Sequence, residues 1–248
     1  MPSADPLEVY DGFAATPFGV SGAVHPLDTR EGALFRLING TVRSGRPRTR
    51  PGFLEREIEF PTPRYREVFR TGKFQGAMGY DDDGGPRVVF AVSGHVFLLD
   101  VTTMKAMAIT DSVPRMEPTA DRLYFLFTGR YLVIQDGVNR PLIFDGQGAR
   151  KSVFEDQEIP VGTFMAYGLG RIFVTIPGTA SFLAGDFELP EEPETALKFT
   201  ETEYINEGGA FSLPMALGPI TGMAFLRAPG TASSLGLLVV SGTSGISY

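Results

Sequence analysis

The 248-residue chain contains no cysteine, no tryptophan and only two histidines. Without cysteine there is no disulfide framework and no thiolate-based metal site. His25 precedes a proline, and His95 lies in a predicted turn. Neither has a partner at metal-ligand spacing. The lack of tryptophan removes a favoured surface for stacking sugars. No apolar stretch approaches the ~20 residues needed to cross a bilayer. The opening MPSADPLEVYDGF has neither a basic n-region nor an apolar h-region, so it does not read as a signal peptide. A soluble protein with no membrane contact, not exported by the general secretion route, is therefore expected. The chain has no Gly-x-Ser-x-Gly elbow and no Gly-x-x-x-x-Gly-Lys-Ser/Thr phosphate loop. No catalytic residue, cofactor or metal is assigned, and the expectation is a protein that is not an enzyme.

What the chain does have is turn chemistry between apolar runs. Thirty glycines and nineteen prolines punctuate a sequence that is 43% hydrophobic and carries twenty phenylalanines. The clearest stretch is Arg130–Gly146, RYLVIQDGVNRPLIFDG. Asp136-Gly137 stands between two β-prone runs, a strong hairpin signal because glycine accepts the positive φ of a tight turn. The pattern of apolar run, turn and second run recurs in 88–100 (VVFAVSGHVFLLD), 171–186 (RIFVTIPGTASFLAGD) and 237–248 (LLVVSGTSGISY). The first two and the Arg130 stretch each close on an aspartate. The turn glycines Gly94, Gly137, Gly178 and Gly242 are separated by 43, 41 and 64 residues. The first two spacings match the roughly 40–45 residues of a four-stranded propeller blade. The third is lengthened by an acidic, Pro-bearing insertion near 188–211.

A further strand precedes each hairpin: 74–80, 123–127, 164–169 and 220–226. The fold class expected is all-β, a β-propeller-like array of antiparallel hairpins, with a sandwich or barrel as the alternative. The domain reading is an extended N-terminal arm over 1–73 and a propeller-like domain over 74–248. Its blades are about 74–117, 118–158 and 159–218, with a partial blade at 219–248. Within the arm, 34–42 reads either as a short helix stopped at Asn39-Gly40 or as a hairpin turning there. Asp81-Asp82-Asp83 reads as a solvated loop tip, since the alternating ligands and distal glutamate of a calcium loop are missing. The uncapped last strand leaves an open sheet edge. Either a longer parent chain or another subunit completes it, or the propeller reading gives way to the alternative.

Charge is unevenly placed. Residues 43–73 hold nine basic and four acidic side chains, whereas the whole chain is −7. Arg43, Arg46, Arg48 and Arg50 fall within eight residues, with Pro47 and Pro51 disfavouring helix before them. Guanidinium groups make planar, bidentate contacts with carboxylate or phosphate. These four arginines are the candidate partner-binding residues, for an anionic protein surface or DNA. The alternative is a solvated loop that pairs with the chain's own carboxylates.

The order of phrases carries a resemblance: NGTVRSGRPRTRPGF (39–53), FQGAMGY (74–80), the Arg130–Gly146 hairpin, IPVGTFMAYGLGRIFV (159–174) and KFTETEYINEGGAF (198–211). From about residue 34 onward the chain resembles virion structural proteins of tailed double-stranded DNA bacteriophages. It is similar to tail hub, nozzle or packaged-DNA-stabilisation proteins with a β-propeller body. The resemblance implies a homo-oligomeric ring at the portal or tail vertex, made in the host cytoplasm and carried in the virion. It implies contacts with portal, adaptor or other tail proteins, and channel DNA as a second partner. The alternative function is a propeller-type glycan-binding or hydrolytic module.

Overall fold

The computed structural model describes residues 40–43, 46–49, 55–82, 84–200, 209–226 and 237–247. It divides into two units, 1–56 and 57–248.

In the first unit, β1 (Gly40–Arg43) pairs antiparallel with β2 (Arg46–Thr49). The strands are joined across 44–45, with Arg43 opposite Arg46 and Thr41 opposite Arg48. Asn39-Gly40 is thus not the turn, and the arginine segment is the second half of a hairpin. Extended backbone is what its prolines select, and Pro47 sits on a two-stranded ribbon, where a missing ladder donor is tolerated. Residues 1–39 and Arg50 lie outside the described residues.

The second unit begins before the propeller. The extended arm read over 1–73 is interrupted by α1 (Pro63–Thr71). Thr62 caps it by accepting from the Tyr65 backbone N–H at 3.4 Å. Pro63 occupies the first turn, where its missing N–H is harmless. Four charged residues hide a short apolar stripe, Tyr65, Val68 and Phe69, at helical spacing.

Four antiparallel sheets follow, arranged as a four-bladed β-propeller. Blade 1 is β3 (Phe74–Asp82), β4 (Gly85–Val92), β5 (His95–Asp100) and β6 (Lys105–Ala108). Blade 2 is β7 (Tyr124–Phe127), β8 (Leu132–Gln135), β9 (Leu142–Phe144) and β10 (Ala149–Lys151). Blade 3 is β11 (Met165–Gly168), β12 (Arg171–Thr175), β13 (Ser181–Ala184) and β14 (Gly209–Ser212). Among the described residues blade 4 has three strands, β15 (Ile220–Leu226), β16 (Leu237–Gly242) and β17 (Gly245–Ser247). The strands expected to precede each hairpin are β3, β7, β11 and β15, and they neighbour one another in that order.

The turns follow their residues. Val92 pairs with His95 across Ser93 and Gly94, both at positive φ, the two-residue turn whose twist matches the flanking strands. Gly137 stands at φ +78°, as the Asp-Gly signal predicts. Two of the aspartates that end the apolar runs, Asp100 and Asp145, cap the next turn, and Asp186 ties down a segment further along the chain. Asp100 accepts from the N–H groups of Thr102 and Thr103, Asp145 from those of Gln147 and Gly148, and Asp186 from that of Thr200.

Alternation along the strands builds the cores between blades. Val89, Ala91, Val96 and Leu98 of blade 1 meet Leu132, Ile134, Leu142 and Phe144 of blade 2. Val133 and Ile143 on blade 2's other face meet Met165, Ile172 and Val174 of blade 3. Ala166, Phe173 and Phe182 of blade 3 meet Ile220, Phe225, Leu238 and Val240 of blade 4. Blade 1's remaining face, with Phe90, Val92, Phe97 and Leu99, packs beneath α1 and the 58–60 segment through Tyr65, Val68, Ile58 and Phe60. Among the described residues that cluster contains no residue of blade 4. No helix among the described residues is long and apolar enough to cross a membrane.

Candidate functional site

Two regions stand apart from the packed body. The first is a run of clefts on which Arg130 borders throughout. About 620 Å³ lies between Tyr80, Asp81 and Arg87 of blade 1 and Phe127, Arg130 and Asp145 of blade 2. Adjoining spaces of about 490 and 470 Å³ continue past Tyr131 and Arg150 to Glu191, Glu192 and Glu194 of the blade 3 insertion. The charged groups here are largely engaged already. Arg87 holds Asp100 at 2.8 Å across β4–β5. The two turn N–H groups on Asp145 keep its carboxyl below the usual range. Arg130 lies over the Tyr131 ring at 5.9 Å. Among the described residues, no group of three histidine, cysteine, aspartate or glutamate side chains is placed to hold a metal.

Buried polar groups elsewhere tie loops to the blades. Gln75, only 2% exposed, donates to the Glu117 and Ala120 carbonyls at 2.8 Å and accepts from Gly94 N–H at 2.6 Å. Asp136 accepts from the N–H groups of Glu117, Val138 and Asn139 and from the Asn139 amide. Burial alone would raise its pKa, but these donors hold it below the ordinary value. Glu158 is 5% exposed and accepts two bonds from Arg150, at 2.6 and 2.9 Å, with Lys198 at 3.5 Å. That triad fastens the insertion to blade 2. Tyr167 donates to Glu188 at the insertion's start. Burial, then that carboxylate, pushes the phenol up to about 12. His95 lies beneath α1, edge-on to Tyr65, with Nδ1 unpartnered. These groups serve the scaffold.

The second region is blade 4. Leu226 pairs with Leu237 and Ser241 with Ile246 in the strand register. Alternation therefore puts Leu226, Leu237 and Ile246 on one face, with Ala224 and Val239, opposite the face that packs on blade 3. They are 55%, 49% and 68% exposed. Residues 208–248 carry a single charged side chain, Arg227, in a protein that has 22 basic and 29 acidic residues. A solvent-facing blade so poor in charge has the composition of an interface centre. The sequence reading passed over this feature, although the charge gap after residue 207 was visible there.

Of the candidate residues from sequence, Arg43, Arg46 and Arg48 occupy the β1–β2 hairpin at paired register positions, and Arg50 lies outside the described residues.

No protein-family model and no curated protein matches the chain. Among solved structures, it is similar to BBS1N, crystallised in complex with ARL6DN, with TM-score 0.40 and 11% identity. That match covers 67% of this chain and 47% of BBS1N, so the chain spans about half of that structure's length. It is also similar to Myxococcus xanthus glutaminyl cyclase, with TM-score 0.33 and 16% identity over 68% of each chain. Likenesses this distant bear on neither partner nor activity.

Proposed function

We propose that this chain is a structural, non-enzymatic subunit of a tailed-phage virion, placed in the portal-proximal tail ring, where it helps retain packaged DNA and joins neighbouring tail proteins. The observation that carries the reading is the fourth blade. Its outer face is apolar and bare, and charge is nearly absent from its sequence. An uncovered apolar face on a rigid body suits a subunit whose partner completes it. The basic hairpin supplies a second contact of different character, suited to acidic subunit surfaces or to the DNA backbone. The propeller itself resists deformation, because the junctions between blades 1 and 2, 2 and 3, and 3 and 4 are packed cores.

The test is to interrupt the coding sequence in a phage genome that carries it and to complement it in trans. The reading expects particles that lack a complete tail vertex or lose packaged DNA, with infectivity restored by the supplied protein. Complete, infectious particles without the protein would remove the assignment.

A further inference from the structure

The innermost strands of the four blades, β3, β7, β11 and β15, surround a cavity of about 310 Å³. Every blade contributes to it: Ala77 and Met78 from β3, Tyr124 and Phe125 from β7, Met165 from β11 and Met223 from β15. The sequence sets a small residue beside methionine on three of these strands, Gly-Ala-Met at 76–78, Met-Ala at 165–166 and Gly-Met-Ala at 222–224. Small residues leave the space open, and methionine gives it a soft, adaptable wall that packs well against aromatic rings. Phe164 closes one side, its ring meeting Tyr124 edge-on with centroids 4.9 Å apart.

Among the lining residues the one charged side chain is Arg122. It stands just before β7, where the Leu123 N–H donates to the Gln75 carbonyl at 2.8 Å and fixes the chain beside β3. Its guanidinium lies over the Tyr124 ring at 5.3 Å. That contact occupies one face of the guanidinium and leaves the in-plane N–H groups to a ligand. The adjacent carboxylate, Asp121, is already held by Lys73 at 2.6 Å. Among the described residues no carboxylate pairs with Arg122.

We propose that this cavity binds a small aromatic anion, an aryl carboxylate or sulfonate, with its ring among the methionines and aromatics and its acid group on Arg122. The volume is at the lower end of the roughly 300–1,000 Å³ of small-molecule sites, which suits one or two fused rings. An apolar lining with one placed cation is the usual composition of such a site, and the planar donors of arginine match the oxygens of an acid group. A flexible alkyl chain would lose more conformational freedom in so short a space. The lining includes neither the bare face of blade 4 nor the basic hairpin, so the site holds or fails independently of the virion assignment.

Fluorescence titration of the full chain with anilinonaphthalene sulfonate, an aryl sulfonate, and with phenylnaphthylamine, its uncharged counterpart, tests the site. Wild type should show one saturable site per chain for either dye. Arg122→Gln should weaken the sulfonate about threefold to tenfold, the range of a part-exposed charge-assisted bond, and leave the uncharged dye unchanged. Ala77→Phe should remove both, because its ring would fill the cavity. Ala77 is exposed, so the melt should match wild type. Should it melt early, Ala77→Leu repeats the test. Naphthoate should displace either dye, and decanoate, a linear anion, should not. Absence of a saturable site in wild type, or binding that survives both Ala77 variants, overturns the proposal. So does dye binding lost only in Leu226→Ser/Ile246→Ser, which would place the dye on blade 4's bare face. An Arg122→Gln variant that weakens both dyes equally, or displacement by decanoate as readily as by naphthoate, overturns the ligand class.

Discussion

Replacing Glu158 by glutamine tests a strongly buried carboxylate that is paired with two cations. Its side chain is 5% exposed, against 44% for Arg150 and 28% for Lys198. Removing one member of a fully buried pair costs about 3–5 kcal/mol because the other charge is stranded. Here the stranded cations can turn to water, and the glutamine oxygen can still accept from the Val153 N–H that Glu158 holds at 2.9 Å. What is lost is two charge-assisted bonds in part-exposed geometry, about 1–3 kcal/mol in total. For a chain of this size about 2 kcal/mol lowers Tm by roughly 4–8 °C. The loss must also depend on pH. Burial pushes the Glu158 carboxyl up, but Arg150, the Val153 N–H and Lys198 pull harder, and the net position is below the ordinary 4.5. A carboxylate with a depressed folded pKa stabilises above its unfolded value and loses that contribution as pH falls through the folded one. The Tm gap between wild type and Glu158→Gln should therefore be full at pH 7 and narrow as pH falls below 4.5. An unchanged Tm at pH 7, or a gap that does not narrow as the pH falls below 4.5, would refute the reasoning.

Other outcomes follow from single sites. Gly137→Val places a β-branched residue at φ +78°, with its Cβ 2.9 Å from Thr163 Cγ2. It should lower stability by about 1 kcal/mol or more in a urea melt, whereas equal midpoints would speak against the turn geometry. His95 is held below its usual 6.5, first by burial and then by Arg115 and Arg64, so the folded state binds fewer protons than the unfolded state. Wild type should lose stability as pH falls below 6.5, and His95→Phe should lose less over pH 8 to 5; parallel curves would contradict this. Replacing Arg43, Arg46, Arg48 and Arg50 together by alanine should abolish incorporation into particles at unchanged Tm. If DNA is the partner instead of a subunit, wild-type binding should fall with a log–log salt slope of roughly −3 to −4. Normal assembly of the quadruple variant would leave the arginines as solvated side chains of the hairpin with no partner to hold.

The propeller was legible because its signals are local. Tight turns need glycine at positive φ, and Gly94 in the two-residue β4–β5 turn and Gly137 in the longer β8–β9 loop announce them without reference to the rest of the fold. Asp100 and Asp145 mark strand ends because a short carboxylate can reach the next turn's N–H groups. The blade spacing follows from counting those turns. Helix α1 was missed because its apolar stripe is only three residues among arginines and glutamate. It is held by what lies beneath it, Phe90 and Phe97, which only the fold brings there. The β1–β2 pairing was not legible because Asn39-Gly40 offered two local readings, a helix stop and a hairpin turn, and neither pairs 40–43 with 46–49. Pro47 opposite Val42 shows the pairing that overrode both. The bare face of blade 4 depends on register: until Ser241 is paired with Ile246, nothing shows that Ile246 shares a face with Leu226 and Leu237.

The central claim is that this chain works by being built into a larger particle through blade 4 and the basic hairpin. Amide hydrogen exchange, compared between the free chain and the same chain in assembled phage particles, addresses it most directly. The account predicts slowed exchange in particles at 220–226, 237–247 and 40–49, with the buried strands β4, β8 and β12 unchanged because they are protected in both. Equal exchange at those three segments, or protection gathered instead around the Arg130 clefts, would contradict it.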